Sequence, residues 1–213
     1  METNKLVKLC NKLFLSKRTV IQKLSENSNK NYFFNILEKK DFIDNPFLKK
    51  FSENPYIKKI VTEYLGKHTI HSLGLFYSQK NKTIDGSQMW HVDGDASRQL
   101  KLFINISNVD KNNGPFEFFP KDIMSSSLKN KGLLKEIDEI NINNYVKGNN
   151  IISCIGKEGS NVFVDTSNCL HQGSRVKSRY RLVFCIQYLP VPNAVIKSNV
   201  KKMLGGSVLY NDI

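Results

Sequence analysis

Residues 88–94 read Gln88-Met89-Trp90-His91-Val92-Asp93-Gly94, a short segment that alternates like a β-strand. Side chains two positions apart on a strand point to the same face. We therefore expect His91 and Asp93 to lie side by side while Val92 points away. A second histidine, His171, follows in a later predicted strand. Together these three residues could hold one metal ion, and two histidines with one carboxylate are typical of non-haem Fe(II) oxygenases.

Short runs rich in β-branched and aromatic residues surround this segment. They lie at 69–77, 88–92, 100–106, 115–119, 151–155, 161–164 and 180–189, separated by clusters of Gly, Asn, Asp and Pro. The first 65 residues instead place apolar side chains at helical spacing, as at Leu6, Leu9, Cys10 and Leu13. This order predicts an α+β, mainly β chain, in which N-terminal helices back a double-stranded β-helix, or jelly roll.

The length of 213 residues suits a single domain over residues 1–213. Its predicted parts are a mostly helical N-terminal part (1–65), a jelly-roll core (68–190), an insertion between core strands (121–150) and a C-terminal tail (191–213). No apolar run is long enough to cross a bilayer, and the N-terminus lacks the apolar segment of a signal peptide. The four cysteines lack a CxxC spacing, which favours free thiols. We therefore expect a cytoplasmic protein without a membrane partner.

The chain is strongly basic, with a formal net charge of +13 at pH 7. Such a charge can indicate binding to nucleic acid. The lysines are dispersed along a chain that is rich in lysine and asparagine throughout, and they do not gather in one stripe. This distribution favours compositional bias over a basic binding surface. We therefore do not expect nucleic acid as a partner.

Four ordered motifs extend the pattern along the chain. They are Trp90-His91-x-Asp93, Asn113-Gly114-Pro115 leading into Phe119-Pro120, Leu170-His171-x-Gly173, and Arg181 at the start of the last core strand. In this order and strand context the motifs resemble the phytanoyl-CoA dioxygenase family of Fe(II)- and 2-oxoglutarate-dependent oxygenases. The resemblance covers residues 70–190.

The resemblance implies that His91, Asp93 and His171 bind iron, and that Arg181 pairs with the distal carboxylate of 2-oxoglutarate. A guanidinium can hold a carboxylate through two parallel hydrogen bonds, which agrees with that role. Arg179 lies two positions earlier, where its side chain would point to the same face of the strand, and it is the alternative partner for this carboxylate.

Members of the family also hold the cosubstrate with polar residues on neighbouring strands, for which Tyr77 and Gln88 are the candidates. With Fe(II), 2-oxoglutarate and O2, the resemblance implies hydroxylation or desaturation of an unactivated C–H bond of a small molecule. Succinate and CO2 would be the coproducts. Asp93 favours this outcome, because related halogenases carry Gly or Ala at its position. Two alternatives stay open: a nucleic-acid demethylase of the same superfamily, and a non-catalytic jelly-roll protein that binds metal.

Overall fold

The computed structural model describes residues 2–27, 30, 32–81, 84, 86–94, 96–124, 142, 145–148, 150–191 and 206–213. Within these residues the N-terminal part contains five helices. They are α1 (Glu2–Ser16), α2 (Arg18–Asn27), α3 (Lys39–Asp44), α4 (Phe47–Ser52) and α5 (Pro55–Leu65). Helix α5 begins with Pro55 in its first turn, and the Asn54 side chain accepts a hydrogen bond from the Tyr56 amide.

The strands of the described residues form two antiparallel sheets. They are β1 (Phe33–Asn35), β2 (His68–Gln79), β3 (Leu100–Asn105), β4 (Glu117–Phe118), β5 (Ile152–Ser153), β6 (Asn161–Val164), β7 (His171–Gln172), β8 (Tyr180–Pro190) and β9 (Val208–Leu209). The larger sheet has the order β1-β2-β8-β3-β6, with β9 paired to β2, and the smaller has the order β5-β4-β7. Short 3-10 turns lie at Gly86–Gln88, Lys121–Ile123 and Tyr210–Asp212. Helices combined with antiparallel sheets confirm the α+β class.

The long strand β8 has one apolar face and one face that lines a cavity. Its residues in the apolar core are Leu182, Phe184, Ile186 and Tyr188. The helices contribute Leu6, Cys10, Leu24, Leu48, Phe51 and Val61 to the same core. Because side chains alternate along a strand, Arg181, Cys185 and Gln187 point to the opposite face, where they line the cavity. Because the helices cover one face of the sheet, the cavity lies on the other face.

Three segments differ from their predicted structure. Residues 33–35, placed in the helical part, form the edge strand β1 because the ring of Phe33 stacks on that of Phe76, with centroids 4.7 Å apart. The predicted strand at 88–92 is reduced to a 3-10 turn and isolated bridge residues, among them His91, which pairs with His171 in the two-residue strand β7. The predicted tail contains β9, whose Val208 is buried.

Most of the predicted insertion lies outside the described residues, at positions 125–141, 143–144 and 149. Among the described residues, no helix combines the length and the apolar character needed to cross a membrane.

Candidate metal centre

His91, Asp93 and His171 converge at the edge of the smaller sheet. The backbone N–H of each histidine donates to the carbonyl of the other, with N–O distances of 2.9 Å. The Oδ1 atom of Asp93 lies 3.8 Å from Nε2 of His91 and 3.8 Å from Nε2 of His171. One ligand atom from each residue lies within 4.8 Å of the other two. The structure thus brings together the three residues that the sequence predicts as metal ligands.

The Nε2 atoms of both histidines are available to a metal ion. Nδ1 of His91 lies 2.8 Å from the carbonyl oxygen of Met89, and Nδ1 of His171 lies 2.9 Å from that of Cys169. Because a carbonyl only accepts, each Nδ1 carries the proton and each Nε2 keeps its lone pair. Burial lowers the pKa of His91 and lowers that of His171 to about 3. Both imidazoles are therefore neutral at neutral pH, as metal binding requires.

The carboxylate of Asp93 is held by two donors on its second oxygen. Lys101 Nζ donates to Oδ2 at 2.7 Å, and Gln99 Nε2 donates to the same atom at 3.0 Å. Burial alone would raise the pKa of Asp93, but the neighbouring groups, with the ammonium of Lys101 foremost among them, together hold the pKa below its ordinary value. Asp93 is therefore ionised, and its Oδ1 is the oxygen that faces the two histidines.

A chain of side-chain hydrogen bonds continues from Asp93 across the larger sheet. Gln99 also donates to Thr166 Oγ1 at 2.9 Å, and its own oxygen accepts from the Gln187 amide. The Gln187 oxygen in turn accepts from Ser72 Oγ at 3.0 Å. Since the Gln99 oxygen is already used as an acceptor, its NH2 group is the end directed at Asp93. The network therefore fixes the orientation of the carboxylate ligand.

We expect Gln99→Leu to lower the affinity for Ni2+ by about 10- to 100-fold, because residues that orient metal ligands typically contribute that much. The substitution removes one donor to Asp93 and also the acceptor of the buried Gln187 amide. Calorimetric titration with Ni2+ measures the effect. Gln22→Leu, on the exposed face of α2, makes the same chemical change far from the triad and is the matched control. Equal affinity in the two variants would show that Gln99 does not orient the ligand.

The triad opens into a cavity of about 270 Å3 between the two sheets. Its apolar wall is formed by the phenylalanines Phe33, Phe76, Phe103 and Phe116. Gly206 and Ser207, which precede β9, also line the cavity, since the pairing of β9 with β2 brings the C-terminal segment over it. The cavity is therefore bounded by both sheets and by the C-terminal segment.

Arg181 lines the same cavity and has no carboxylate partner among the described residues. Arg181 is only 4% exposed. Nη1 donates to the carbonyl of Gly114 at 2.7 Å and Nη2 donates to Ser174 Oγ at 3.4 Å, while Nε has no hydrogen-bond partner in the described part of the chain. Burial lowers the pKa of the guanidinium to about 10, which leaves it charged at neutral pH. A buried cation of this kind calls for an anion.

The turn before β8 separates Arg181 from the alternative cation. Arg179 is exposed and has a left-handed backbone, with φ of 59°. Gly114 packs beneath this turn with φ of 66°, and a Cβ at its position would lie 2.7 Å from backbone atoms of Arg175 and Val176. A side chain at 114 would therefore displace the carbonyl that binds Arg181, which explains the glycine of the Asn113-Gly114-Pro115 motif.

Tyr77 and Gln88 do not line the cavity. The ring of Tyr77 packs on the opposite face of β2, with its centroid 5.7 Å from those of Phe14 and Tyr180. Gln88 is fully buried, and its amide donates to the backbone carbonyl of Ser174 at 3.0 Å. Gln88 therefore supports the segment that carries a hydrogen-bond partner of Arg181, and Tyr77 belongs to the apolar core.

Lys101, Gln99 and Gln187 are functional candidates that the sequence patterns above do not identify. The alternation of Gln99 and Lys101 with Leu100 and Leu102 places the two polar residues on one side of the chain where β3 begins. That signal is readable in the sequence, but it does not reveal that the face is opposite Asp93.

No protein-family model and no curated protein matches this sequence. Solved structures do match it. EctD from S. alaskensis in its apo form has a TM-score of 0.64 at 19% sequence identity, over 90% of this chain and 70% of that chain. The chain shares the fold of EctD. The same protein with bound Fe matches with a TM-score of 0.56 at 15% identity, over 90% and 69% of the two chains.

Two further matches bear on the class of the fold. EctD with 2-oxoglutarate and 5-hydroxyectoine has a TM-score of 0.59 at 16% identity, over 90% of this chain and 69% of that chain. ThoJ, a non-heme monooxygenase in apo form, has a TM-score of 0.51 at 17% identity, over 86% and 70%. The similarity concerns the fold, and the narrower resemblance to phytanoyl-CoA dioxygenases stays a prediction.

Proposed function

We propose that this chain is an Fe(II)- and 2-oxoglutarate-dependent dioxygenase that hydroxylates or desaturates an unactivated C–H bond of a small molecule. One observation carries the proposal: His91, Asp93 and His171 line the same cavity as a buried arginine that lacks a carboxylate partner among the described residues. The first three suit a divalent metal ion, and Arg181 suits the distal carboxylate of a dicarboxylate cosubstrate. The fold shared with a protein that binds Fe and 2-oxoglutarate supports the same reading.

In this proposal the two sheets form a double-stranded β-helix, with the site between them. His91 Nε2, His171 Nε2 and Asp93 Oδ1 would hold the iron, and Arg181 would hold 2-oxoglutarate. When bound, these groups supply the oxidising chemistry, in which O2 is consumed and 2-oxoglutarate is converted to succinate and CO2. The protein binds and orients the reactants, and the phenylalanine wall excludes water from them.

The test is succinate formation by purified protein supplied with Fe(II), 2-oxoglutarate and O2. Enzymes of this kind should form succinate slowly even without substrate, and EDTA should abolish it. The substrate can then be found by a mass screen for the gain of one oxygen atom or the loss of two hydrogens. A protein that binds Ni2+ and 2-oxoglutarate but forms no succinate above a no-protein control would instead be a non-catalytic metal-binding protein.

The demethylase alternative would require a flipped nucleobase to enter the cavity together with the cosubstrate. A small-molecule substrate is better supported, because EctD, whose fold this chain shares, is known in a structure with 2-oxoglutarate and 5-hydroxyectoine.

A further inference from the structure

The cavity has a cation at each end of β8. Arg181 lies at the start of the strand, and Gln187, which is six residues further on, is paired across the sheet with Lys101. Six residues of strand span roughly 20 Å. The metal triad faces the sheet between these ends, since Asp93 contacts Lys101 and the loop after His171 brings Gly173 against the guanidinium of Arg181.

The Lys101 end carries an ammonium that can bind an anion. The Lys101 ammonium donates to Asp93 Oδ2 at 2.7 Å, and an ammonium carries three N–H donors, so it can serve more than one acceptor. Ser207 lines the cavity at the same end, beside Ser72 and Gln187, which are hydrogen-bonded to each other. This end is distinct from the Arg181 end, where the proposed function places the cosubstrate.

The described walls of the cavity carry more positive than negative charge. Their cations are Lys30, Lys101 and Arg181, and their carboxylate is that of Asp93. A divalent metal ion and the two carboxylates of 2-oxoglutarate together carry no net charge. The charges of the described walls therefore favour a neutral or anionic substrate over a cationic one.

The middle of the cavity is apolar and small. Phe76 lies on β2 and Phe103 on β3, both on the cavity side, and Cys185 lies between them on β8. Phe103 is also stacked on Phe116, with ring centroids 4.5 Å apart. These rings suit an apolar substrate body.

We infer that the substrate is a small carboxylate, with its anionic group bound at Lys101 and its apolar body placed against Phe76 and Phe103. The inference rests on the proposed function, because it assumes that Arg181 binds the distal carboxylate of 2-oxoglutarate. Lys101 is then a specificity-determining residue as well as a contact of Asp93. The bound carboxylate would hold the apolar body in front of the metal triad.

Matched neutral and anionic probes test this assignment without turnover. The protein is loaded with Ni2+ and saturated with 2-oxoglutarate, and is titrated calorimetrically with cyclohexanecarboxylate and with cyclohexanecarboxamide. We expect the acid to bind at least about tenfold more tightly than the amide, as hydrogen bonds to charged groups usually allow. In Lys101→Met, and in Lys101→Gln as a second variant, this ratio should fall close to one, while Lys101→Arg should keep part of it. Lys58→Met removes the same charge from the exposed surface of α5 and should leave the ratio unchanged.

Each other outcome overturns the inference. The wild-type protein could show no preference for the acid, or the preference could survive in Lys101→Met and Lys101→Gln. Weakened binding of 2-oxoglutarate in Lys101→Met, with normal binding in Arg181→Leu, would assign Lys101 to the cosubstrate instead. Failure of the proposed function can be told apart from failure of this inference. In that case the protein would form no succinate, while its preference for the acid would still depend on Lys101.

Discussion

Asp93→Ala should abolish iron-dependent succinate formation and lower the affinity for Ni2+ by at least about a hundredfold. The substitution removes the oxygen that faces both histidines and also the carboxylate that Lys101 and Gln99 contact. The cation of Lys101 would then remain beside the metal position and repel a divalent ion. The loss should therefore exceed the 10- to 100-fold effect typical of residues that only orient a ligand.

The measurement combines succinate assays with calorimetric titration by Ni2+, and circular dichroism checks that the fold survives. His91→Ala and His171→Ala should show the same loss of activity. Asp93→Gly should still bind iron weakly, but its turnover should collapse. Asp110→Ala removes an exposed carboxylate and serves as the control. Wild-type turnover in any of the triad variants would remove that residue from the proposed ligand set.

The proximity of His91 and Asp93 was predictable because its signal is local. His91 and Asp93 are two positions apart, and this spacing brings their side chains together even though residues 88–92 form isolated bridges instead of a full strand. The face of Arg181 was predictable for a similar reason, since alternation along β8 fixes that Arg181 and Cys185 share a side. Periodicity therefore determines which side chains share a face.

Contacts between strands were not predictable in the same way. The pairing of Lys101 with Gln187 depends on the register between β3 and β8, and the approach of Lys101 to Asp93 depends on how the two sheets face each other. Tyr77 shows the same limit. Alternation along β2 predicts which residues share its face, but not that helix α1 packs on that face through Phe14. Likewise, Phe33 joins the sheet because of the ring of Phe76, which is distant in sequence.

Arg181→Leu should raise the apparent KM for 2-oxoglutarate by on the order of a hundredfold or more, as when a buried charge pair loses one partner. The guanidinium is buried, and the described residues offer its Nε no hydrogen-bond partner and its charge no carboxylate. The distal carboxylate of the cosubstrate would supply the missing anion. Arg181→Lys should weaken 2-oxoglutarate binding less, because the charge remains while the two parallel hydrogen bonds are lost.

Direct titration of Ni2+-loaded protein with 2-oxoglutarate separates this effect from changes in turnover. The affinity for Ni2+ itself should change little, because Arg181 contacts Gly114 and Ser174 and none of the three triad residues. Arg179→Leu removes the neighbouring charge at an exposed position in the turn and should leave 2-oxoglutarate binding near the wild-type value. A large defect in Arg179→Leu with normal binding in Arg181→Leu would transfer the cosubstrate role to Arg179. It would also leave the burial of Arg181 in the cavity without a ligand to explain it.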